Sequence, residues 1–500
     1  MAVFNPPLPL KSHLLALNQI GAISKWIDIT APEEDIKEAI LSDNCRIICC
    51  FAVVIPKIEG ILNNCNLEKI IYVEPKQFIR KKCFLAGGKA LIELEGIKKQ
   101  SLKNDLPSMP KREPYISFID FIKTGSKDFY ECVKYQRNEP ALKIQSSGTT
   151  GKPKVIVHTD YSINSSIAKN AGIDLPLYEK KVLLKIAPSW VGYGLINSFA
   201  MPLAFGMEVL TTPSFEADLL IKMNGKYDIT LAVPFLYRYL AEHIDEIDSM
   251  ERPLALVSGG DKITKNEIES IQKIIQKKGC TAPILNGAGC NEIVGSGVVN
   301  PVLANRPGSV GIPLWNDIAS VFDPETGKEL DIGEKGEICY QTSSAFLEYD
   351  RNPVQTSDIK VMHSDGKVWI HTKDLGYQDE DGFLYIEGRM TRVITVGGFK
   401  ISANSIEDAL DDCEYIKECV AVAAPDKEFA EVPMLFVVLA DGISETEVDS
   451  KLKCLCEERI KGRALPKYYN YIEKIPYTSN NKQDYRALEK IASEYVSNRK

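Results

Sequence analysis

The chain has 500 residues, of which 44% are hydrophobic and 26% charged, so its composition is typical of an ordinary globular protein. Its net charge of −8 and the lack of a long basic run argue against binding to nucleic acid or to an anionic membrane surface. The 13 cysteines follow no repeated Cys-x-x-Cys spacing, which favours reduced thiols in a cytoplasmic protein over a disulfide framework or a zinc site.

The opening segment lacks the basic region of a signal peptide, and the longest apolar run, residues 47–55, is too short to cross a bilayer. We therefore expect no membrane span. A chain of this length exceeds what one hydrophobic core supports, so we expect two or more domains.

Apolar periodicity predicts alternating helices and strands along the first half of the chain. In order, the predicted elements are a helix within residues 12–23, a helix at 33–41, strands at 46–55 and 69–75, a connecting segment at 100–140, strands on both sides of residues 146–154, a helix at 161–170, a strand at 182–188, strands at 227–233 and 254–258 with a helix between them, and a capped helix from Thr264 to Gly279. This alternation indicates an α/β sheet.

The most informative stretch is a loop rich in serine, threonine and glycine between two predicted strands. It reads Ser146-Ser147-Gly148-Thr149-Thr150-Gly151-Lys152-Pro153-Lys154. Glycines allow successive backbone N–H groups to point into one concavity, and hydroxyls and ammonium groups add donors and charge, which suits nucleotide phosphates. It is not a Walker A loop, because only two residues separate Gly148 from Gly151 and a strand follows. An ordinary polar hairpin is the alternative.

The loop resembles the phosphate-binding loop of the adenylate-forming superfamily, which includes acyl-CoA synthetases, luciferases and the adenylation domains of non-ribosomal peptide synthetases. The resemblance implies an α/β fold class, with a large N-terminal domain of stacked sheets and helices at residues 1–389 and a small mobile α+β lid domain at 390–500. It also implies ATP, Mg²⁺ and coenzyme A as cofactors. The chain begins later than this resemblance leads one to expect.

The resemblance also assigns the nucleotide-binding residues. They are Ser146, Ser147, Gly148, Thr149, Thr150, Gly151 and Lys154 for the phosphates, Gly259, Gly260, Asp261, Asn286, Gly287, Ala288, Gly289, Cys290 and Asn291 around the adenine and α-phosphate, and Asp374 and Arg389 for the ribose. The implied metal residues are Thr149 and Glu292. A carboxylate is well suited to accept hydrogen bonds from both ribose hydroxyls.

Two substitutions depart from the family pattern near the adenine. Ala288 stands where relatives carry an aromatic residue, and Asn291 stands where they carry threonine. We expect the loss of the stacking face to weaken ATP binding, since stacking of a base on an aromatic ring contributes on the order of 1–3 kcal/mol. Glu292 keeps its carboxylate, and one carboxylate with the ATP oxygens is sufficient for Mg²⁺.

The resemblance places the acyl pocket at Trp190, Val191, Tyr193 and Gly194. Val191 occupies the position of a gating histidine in acyl-CoA ligases. The segment has no aspartate to pair with an α-ammonium group, so a plain carboxylic acid is favoured over an α-amino acid. Alternatively, Trp190 and Tyr193 are merely aromatic residues of the core.

The predicted lid domain contains helices at residues 405–412 and 444–460 and strands at 419–425 and 434–440. The resemblance makes Thr391 the hinge, Gly397 and Gly398 part of the thiol tunnel, and Lys482 the catalytic residue. A lysine on a mobile lid can stabilise the charge that builds up as pyrophosphate is displaced.

The sequence therefore predicts an enzyme that converts a carboxylic acid, a small-molecule substrate, and MgATP to acyl-AMP and pyrophosphate, followed by thioester formation with coenzyme A. A stand-alone adenylation enzyme that loads the phosphopantetheine of a carrier protein is an alternative within the same class. A degenerate, non-catalytic binding protein is an alternative from another class.

Overall fold

A computed structural model describes residues 2–4, 16–28, 31–73, 110, 112–125, 131–145, 154–211, 217–390, 392–477 and 483–497. The predicted phosphate-binding loop at 146–153, the predicted hinge Thr391 and the predicted catalytic residue Lys482 lie outside these ranges.

The strands of the described residues form four sheets. In spatial order, the first sheet contains Glu348–Tyr349, Val155–Thr159, Pro140–Gln145, Ser24–Trp26, Ala2–Phe4, Ile47–Phe51, Lys69–Val73 and Tyr115–Ser117. The second sheet contains Ile312–Pro313, Gly295–Val299, Ile284–Cys290, Ala255–Ser258, Ile229–Ala232, Val182–Lys185 and Glu208–Thr211.

The other two sheets are mostly antiparallel. The third sheet contains Ile318–Phe322, Gly336–Gln341, Val368–Gln378 and Lys360–Met362, with Leu384–Arg389 also paired to Val368–Gln378. The fourth sheet contains Phe399–Ser402, Val393–Val396, Ala430–Leu439 and Ile416–Asp426, with Tyr468–Tyr471 also paired to Ala430–Leu439.

Helices pack between and outside the sheets. The α-helices are Glu33–Ser42, Ile55–Ile61, Phe118–Lys123, Asp160–Ala168, Met201–Ala204, Leu219–Lys222, Pro234–Glu242, Lys265–Gln276, Pro353–Ile359, Ala403–Asp408, Glu445–Arg459 and Tyr485–Ser497, and residues Tyr193–Ala200 form a π-helix. Among the described residues, no helix combines the length and the apolar character that a membrane span requires.

Two buried clusters show how the layers are held together. Trp26, Ile156 and Phe346 belong to a core that joins the first and third sheets to the π-helix. The buried members of a second core all lie between Ile394 and Ala492 and fill the space around the fourth sheet. The chain is thus a mixed α/β protein with a separate C-terminal unit, as predicted, and the boundary at 389/390 stays a prediction.

Local sequence signals account for several element ends. The capping box predicted at Thr264 is confirmed: the Thr264 hydroxyl accepts from the Glu267 N–H at 3.2 Å, and the Glu267 carboxylate accepts from the Thr264 N–H at 2.9 Å. These reciprocal bonds satisfy N–H groups that have no partner within the helix.

The predicted strand at residues 46–55 is wrong in its second half. The strand ends at Phe51, and a helix covers Ile55–Ile61. Pro56 lies in the first turn of this helix, where its missing N–H costs nothing, and Ile55, Ile58 and Ile61 are buried at helical spacing. A short run of buried apolar residues does not distinguish a strand from a buried helix.

His158 links the first sheet to the second. Its side chain is fully buried, and its Nε2 lies 2.8 Å from the carbonyl oxygen of Asn291, while Nδ1 lies 3.3 Å from the Ser162 hydroxyl. A carbonyl only accepts, so Nε2 carries the proton and donates. Burial lowers the pKa of His158 from 6.5 to about 4, which keeps the ring neutral at physiological pH.

We predict that this histidine makes the fold sensitive to acid. Its pKa is lower in the folded protein than in the unfolded chain, so its contribution to stability is complete above pH 6.5 and is lost as the pH falls toward 4, by about 3 kcal/mol in total. Thermal unfolding midpoints measured across this range should fall less steeply for His158→Asn than for the wild type. The His243→Asn variant, at a partly buried position, is the control. Equal slopes for all three proteins would contradict the prediction.

Candidate functional site

The predicted phosphate-binding loop is flanked by two described strands of the first sheet. Pro140–Gln145 and Val155–Thr159 pair in antiparallel register, with Gln145 opposite Val155. The loop therefore connects adjacent ends of a strand pair. Ser146, Ser147, Gly148, Thr149, Thr150 and Gly151 themselves lie outside the described residues.

Lys154 and Glu292 both contact the aromatic side chain of Tyr349. The ammonium group of Lys154 lies 4.9 Å from the centre of the Tyr349 ring, and the Tyr349 hydroxyl donates to Glu292 Oε1 at 2.6 Å. Burial, and next the charge of Glu292, raise the pKa of Tyr349, so the phenol stays protonated and donates. Tyr349 thereby orients the carboxylate assigned to the metal.

Asn291, the residue before this carboxylate, joins three segments of the chain. Its main-chain carbonyl accepts from His158, and its side-chain Oδ1 accepts from the N–H of Gly192 at 3.0 Å. The latter bond connects it to the start of the π-helix, where the acyl pocket is predicted. Asparagine at this position, a departure from the family pattern, thus has a structural contact of its own.

The turn that follows is strained. Val294 has φ +49°, a left-handed conformation that is unfavourable for a β-branched residue. The Val294 N–H donates to the Asn291 carbonyl at 3.0 Å, and the Val294 carbonyl accepts from the Ser166 hydroxyl at 3.1 Å. These bonds hold a tight turn around Glu292, and strain of this kind clusters at functional sites.

Asp374 and Arg389 face each other across two antiparallel strands of the third sheet. Arg389 Nε donates to Asp374 Oδ1 at 2.9 Å. The charge of Asp374, and further the charge of Glu292, raise the pKa of Arg389. The fold therefore brings together two of the predicted residues, Asp374 and Arg389, that are 15 positions apart in sequence.

The predicted adenine-side residues lie at the carboxyl ends of strands in the second sheet. Ser258 and Asn286 are paired neighbours, so Gly259, Gly260 and Asp261 leave the sheet beside Gly287 and Ala288. Gly289 and Cys290 complete the same strand. Asn286 uses its side chain within the fold, since its Nδ2 donates to the Ser309 carbonyl at 3.3 Å.

The predicted acyl-pocket residues surround the start of the π-helix. Trp190 packs in the core around Trp26, with Val191 against it, whereas the Tyr193 hydroxyl is enclosed and finds no hydrogen-bond partner among the described residues. This hydroxyl lies 3.4 Å from where a Cβ on Gly259 would be. A side chain at Gly194 would collide with the Pro188 carbonyl at 1.8 Å, so only glycine is compatible with this turn.

Gly397 and Gly398 form the turn of a hairpin in the fourth sheet. Their φ values of +54° and +86° suit a two-residue turn in which both central residues are left-handed. Arg463 donates to the Gly397 carbonyl at 3.0 Å, and its guanidinium lies 4.3 Å from the centre of the exposed Phe399 ring. The predicted thiol-tunnel residues therefore occupy an exposed hairpin.

The described residues on both sides of Lys482 lie against the second sheet's helices. Tyr477 and Gln483 pair with each other and both donate to Glu418, at 2.7 and 2.8 Å, and the Tyr477 ring lies 6.0 Å from the Phe235 ring. Burial, and among the neighbouring charges Asp261, raise the pKa of Tyr485. The C-terminal segment thus contacts the helix Pro234–Glu242 of the large unit.

Polar contacts attach the C-terminal unit to the same face. Asn266 donates to Asp411 at 3.0 Å, Lys417 pairs with Glu242 at 2.8 Å, and Lys262 pairs with Asp408. The charged pairs are partly exposed, and such pairs contribute little to stability individually. Breaking these contacts would therefore cost little free energy.

Sequence reasoning missed His158 and Tyr349, which position Asn291 and Glu292. A histidine within an apolar strand was the only available signal for the first, and nothing in the sequence singled out the second.

Comparison with known proteins identifies the family of the chain. A family model described as AMP-binding enzyme matches residues 13–350, and one described as AMP-binding enzyme C-terminal domain matches residues 405–482. A long-chain-fatty-acid–CoA ligase of Bacillus subtilis is 28% identical over 387 residues, covering 73% of this chain and 66% of that protein. The chain thus spans just under two thirds of the length of this relative.

Two further similarities extend over more of the chain. The 4-coumarate–CoA ligase 3 of Arabidopsis thaliana is 28% identical over 393 residues, covering 76% of this chain and 68% of the relative. The structure of ATP-bound MatB from Rhodopseudomonas palustris matches with a TM-score of 0.80 at 20% identity, covering 99% of this chain and 89% of that structure. The chain therefore belongs to the AMP-binding enzyme family, which is the adenylate-forming superfamily that its sequence resembles.

Proposed function

We propose that this protein activates a carboxylic acid with ATP, forming an acyl-adenylate and pyrophosphate, and then transfers the acyl group to coenzyme A. One observation carries the proposal: Asp374 forms an ion pair with Arg389, and Glu292 accepts a hydrogen bond from Tyr349, whose strand pairs with the strand that leaves the phosphate-binding loop. Family membership supports the same activity, and relatives named as CoA ligases act on acids of different kinds.

In the first step, a carboxylate oxygen of the acid attacks the α-phosphorus of ATP. The P–O bond to the β-phosphate breaks, and pyrophosphate leaves with the electron pair. No protein base is required, because the acid is already ionised at neutral pH. The enzyme's task is therefore to position the two reactants and to stabilise the developing negative charge.

We assign the phosphates to Ser146, Ser147, Gly148, Thr149, Thr150, Gly151 and Lys154, and the ribose to Asp374 with Arg389. Glu292 and Thr149 would hold Mg²⁺, and the Glu292 carboxylate offers the hard oxygen ligand that Mg²⁺ prefers. Bound there, the ion would offset the charge of the triphosphate. Tyr349 engages Oε1 of Glu292 and keeps the carboxylate oriented.

In the second step, the thiol loses its proton to solvent and its sulfur attacks the carbonyl carbon. A C–S bond forms, the C–O bond to AMP breaks, and AMP leaves with the electron pair. Gly397 and Gly398 would approach the thiol after rotation of the lid near Thr391. Coenzyme A is the acceptor that we propose, and an assay with a phosphopantetheinyl carrier protein in its place tests the alternative.

The described cysteines are free thiols, which supports a cytoplasmic location.

The decisive experiment is carboxylate-dependent exchange of pyrophosphate into ATP across a broad panel of acids. We expect exchange with at least one plain carboxylic acid and none with α-amino acids, because the predicted acyl pocket lacks an aspartate for an ammonium group. Absence of exchange with every acid tested would favour a non-catalytic binding protein.

We predict that Lys482→Ala lowers the exchange rate by about 10²–10³-fold, the usual effect of removing a group that stabilises transition-state charge. ATP binding should change much less, because the lysine acts as charge develops. The control is Lys490→Ala, at an exposed position of the last helix. Equal rates for Lys482→Ala and the control would refute the assignment.

We predict that Asp374→Asn raises the KM for ATP by about tenfold, because an amide accepts hydrogen bonds from the ribose more weakly than a carboxylate does. The kcat at saturating ATP should fall less than the KM rises. Asp358→Asn, at an exposed position of the helix Pro353–Ile359, is the matched control. An unchanged KM for Asp374→Asn would remove Asp374 from the nucleotide site.

A further inference from the structure

The backbone around Asp374 departs from regular strand pairing. Glu337 pairs with Leu375 and Cys339 with His371, so three residues of one strand, 372–374, lie opposite the single residue Ile338. Such a bulge redirects the side chains that it carries, and bulges are frequent next to active sites. This one turns Asp374 toward Arg389 on the neighbouring strand.

The bulge contains a residue in an unfavourable conformation. Lys373 has φ +61°, in the left-handed region that residues with a Cβ seldom adopt. Its carbonyl still accepts from the Met390 N–H at 2.8 Å, but its own N–H points away from the regular ladder. Something outside the strand must therefore satisfy this N–H and hold the conformation.

Glu337 supplies that contact. Its side chain is buried at 1% exposure, and its Oε1 accepts from the Lys373 N–H at 2.8 Å and lies 3.7 Å from the Lys373 ammonium. Thr372 completes the bulge: its hydroxyl donates to the Ile338 carbonyl at 2.7 Å and accepts from the Asp374 N–H at 3.0 Å. The side chains of Glu337 and Thr372 thus join the two residues before Asp374 to the neighbouring strand.

A pair of imidazoles holds Glu337 in turn. Burial pushes the pKa of Glu337 upward, but the hydrogen bond from His371 and the other contacts outweigh it and hold the pKa below its usual value. An ionised carboxylate only accepts, so His371 Nδ1, 2.8 Å from Oε2, carries a proton. In a neutral His371, Nε2 then accepts from His363 Nε2, also at 2.8 Å.

The same cluster has the donor atoms of a metal site. Ligand atoms of Glu337, Cys339 and His371 lie within 4.8 Å of one another. The carboxylate and both nitrogens of His371 are, however, already engaged in the hydrogen-bonded chain, and the Lys373 ammonium beside Glu337 disfavours a second cation. The contacts favour a positioning role over metal binding.

We propose that Glu337 is a positioning residue for nucleotide binding: held by His371 and His363, it fixes the bulge at Lys373 so that Asp374 faces the ribose. The proposal rests on the proposed function, because it takes Asp374 as the ribose ligand. Glu337 touches no reactant and acts only through the backbone before Asp374.

The test measures the affinity for AMP by calorimetry, since AMP has the ribose but lacks the triphosphate that binds Mg²⁺. Glu337→Ala should weaken AMP binding by about tenfold or more, as Asp374→Asn does, because a buried charge-assisted hydrogen bond is lost. Glu337→Gln keeps an acceptor for the Lys373 N–H and should stay within about threefold of the wild type. Cys339→Ala, on the same face of the strand, is the control for packing.

A second pair of variants tests the backbone directly and keeps Glu337 intact. Lys373→Val should weaken AMP binding, because a β-branched residue resists the left-handed conformation, whereas Lys373→Gly should retain it. The double variant Glu337→Ala/Lys373→Gly should also bind AMP, because glycine adopts the left-handed conformation without the hydrogen bond to Glu337. If Glu337 only stabilised the fold, Lys373→Gly would not restore AMP binding in the double variant. Thermal unfolding midpoints of all variants show whether they are folded.

In turnover, Glu337→Ala should raise the KM for ATP more than it lowers kcat. The proposal is overturned if Glu337→Ala and Lys373→Val bind AMP like the wild type while Asp374→Asn does not. If Asp374→Asn also binds normally, the nucleotide assignment of Asp374 fails instead. The proposal is also overturned if the wild type retains one divalent metal ion per chain after dialysis and Cys339→Ala does not, because the cluster would then be a metal site.

Discussion

The hydrogen bond from the buried His158 to the carbonyl of Asn291, 133 residues away in sequence, is the contact on which the candidate site depends. It joins the strand that leaves the phosphate-binding loop to the turn that carries Glu292. Because burial keeps the imidazole neutral, the bond is made without placing a charge in the core. Asn291 extends the link to Gly192, so one residue aligns the predicted phosphate, metal and acyl regions.

Both carboxylates of the site follow a common design. Val294 lies two residues after Glu292, and Lys373 lies directly before Asp374. The backbone of both Val294 and Lys373 is left-handed, which is unfavourable for these residue types. In each case a side chain from another element holds the backbone, Ser166 at the first and Glu337 at the second. Strain of this kind persists only where surrounding contacts fix the conformation, and the two carboxylates beside it contact Tyr349 and Arg389.

Much of the fold and part of the site could be predicted from sequence. The family, the α/β class and the capping box at Thr264 are confirmed. The site residues stay predictions, among which the structure pairs Asp374 with Arg389. The roles of the loop residues and of Lys482 stay predictions. The strand predicted at 46–55 is wrong after Phe51, because a short apolar run carries no information on whether it is buried as strand or helix.

The sequence by itself determined the local features: helix caps, turn glycines, and the order of the motifs that identify the family. These depend on residues a few positions apart, whose interactions exist before the chain is folded. Only the tertiary structure decided that His158, Tyr349 and Glu337 support the site, because their partners lie on other strands. A histidine, a tyrosine or a glutamate in a strand can have many roles. Its role depends on which distant group it contacts, and tertiary packing determines that contact.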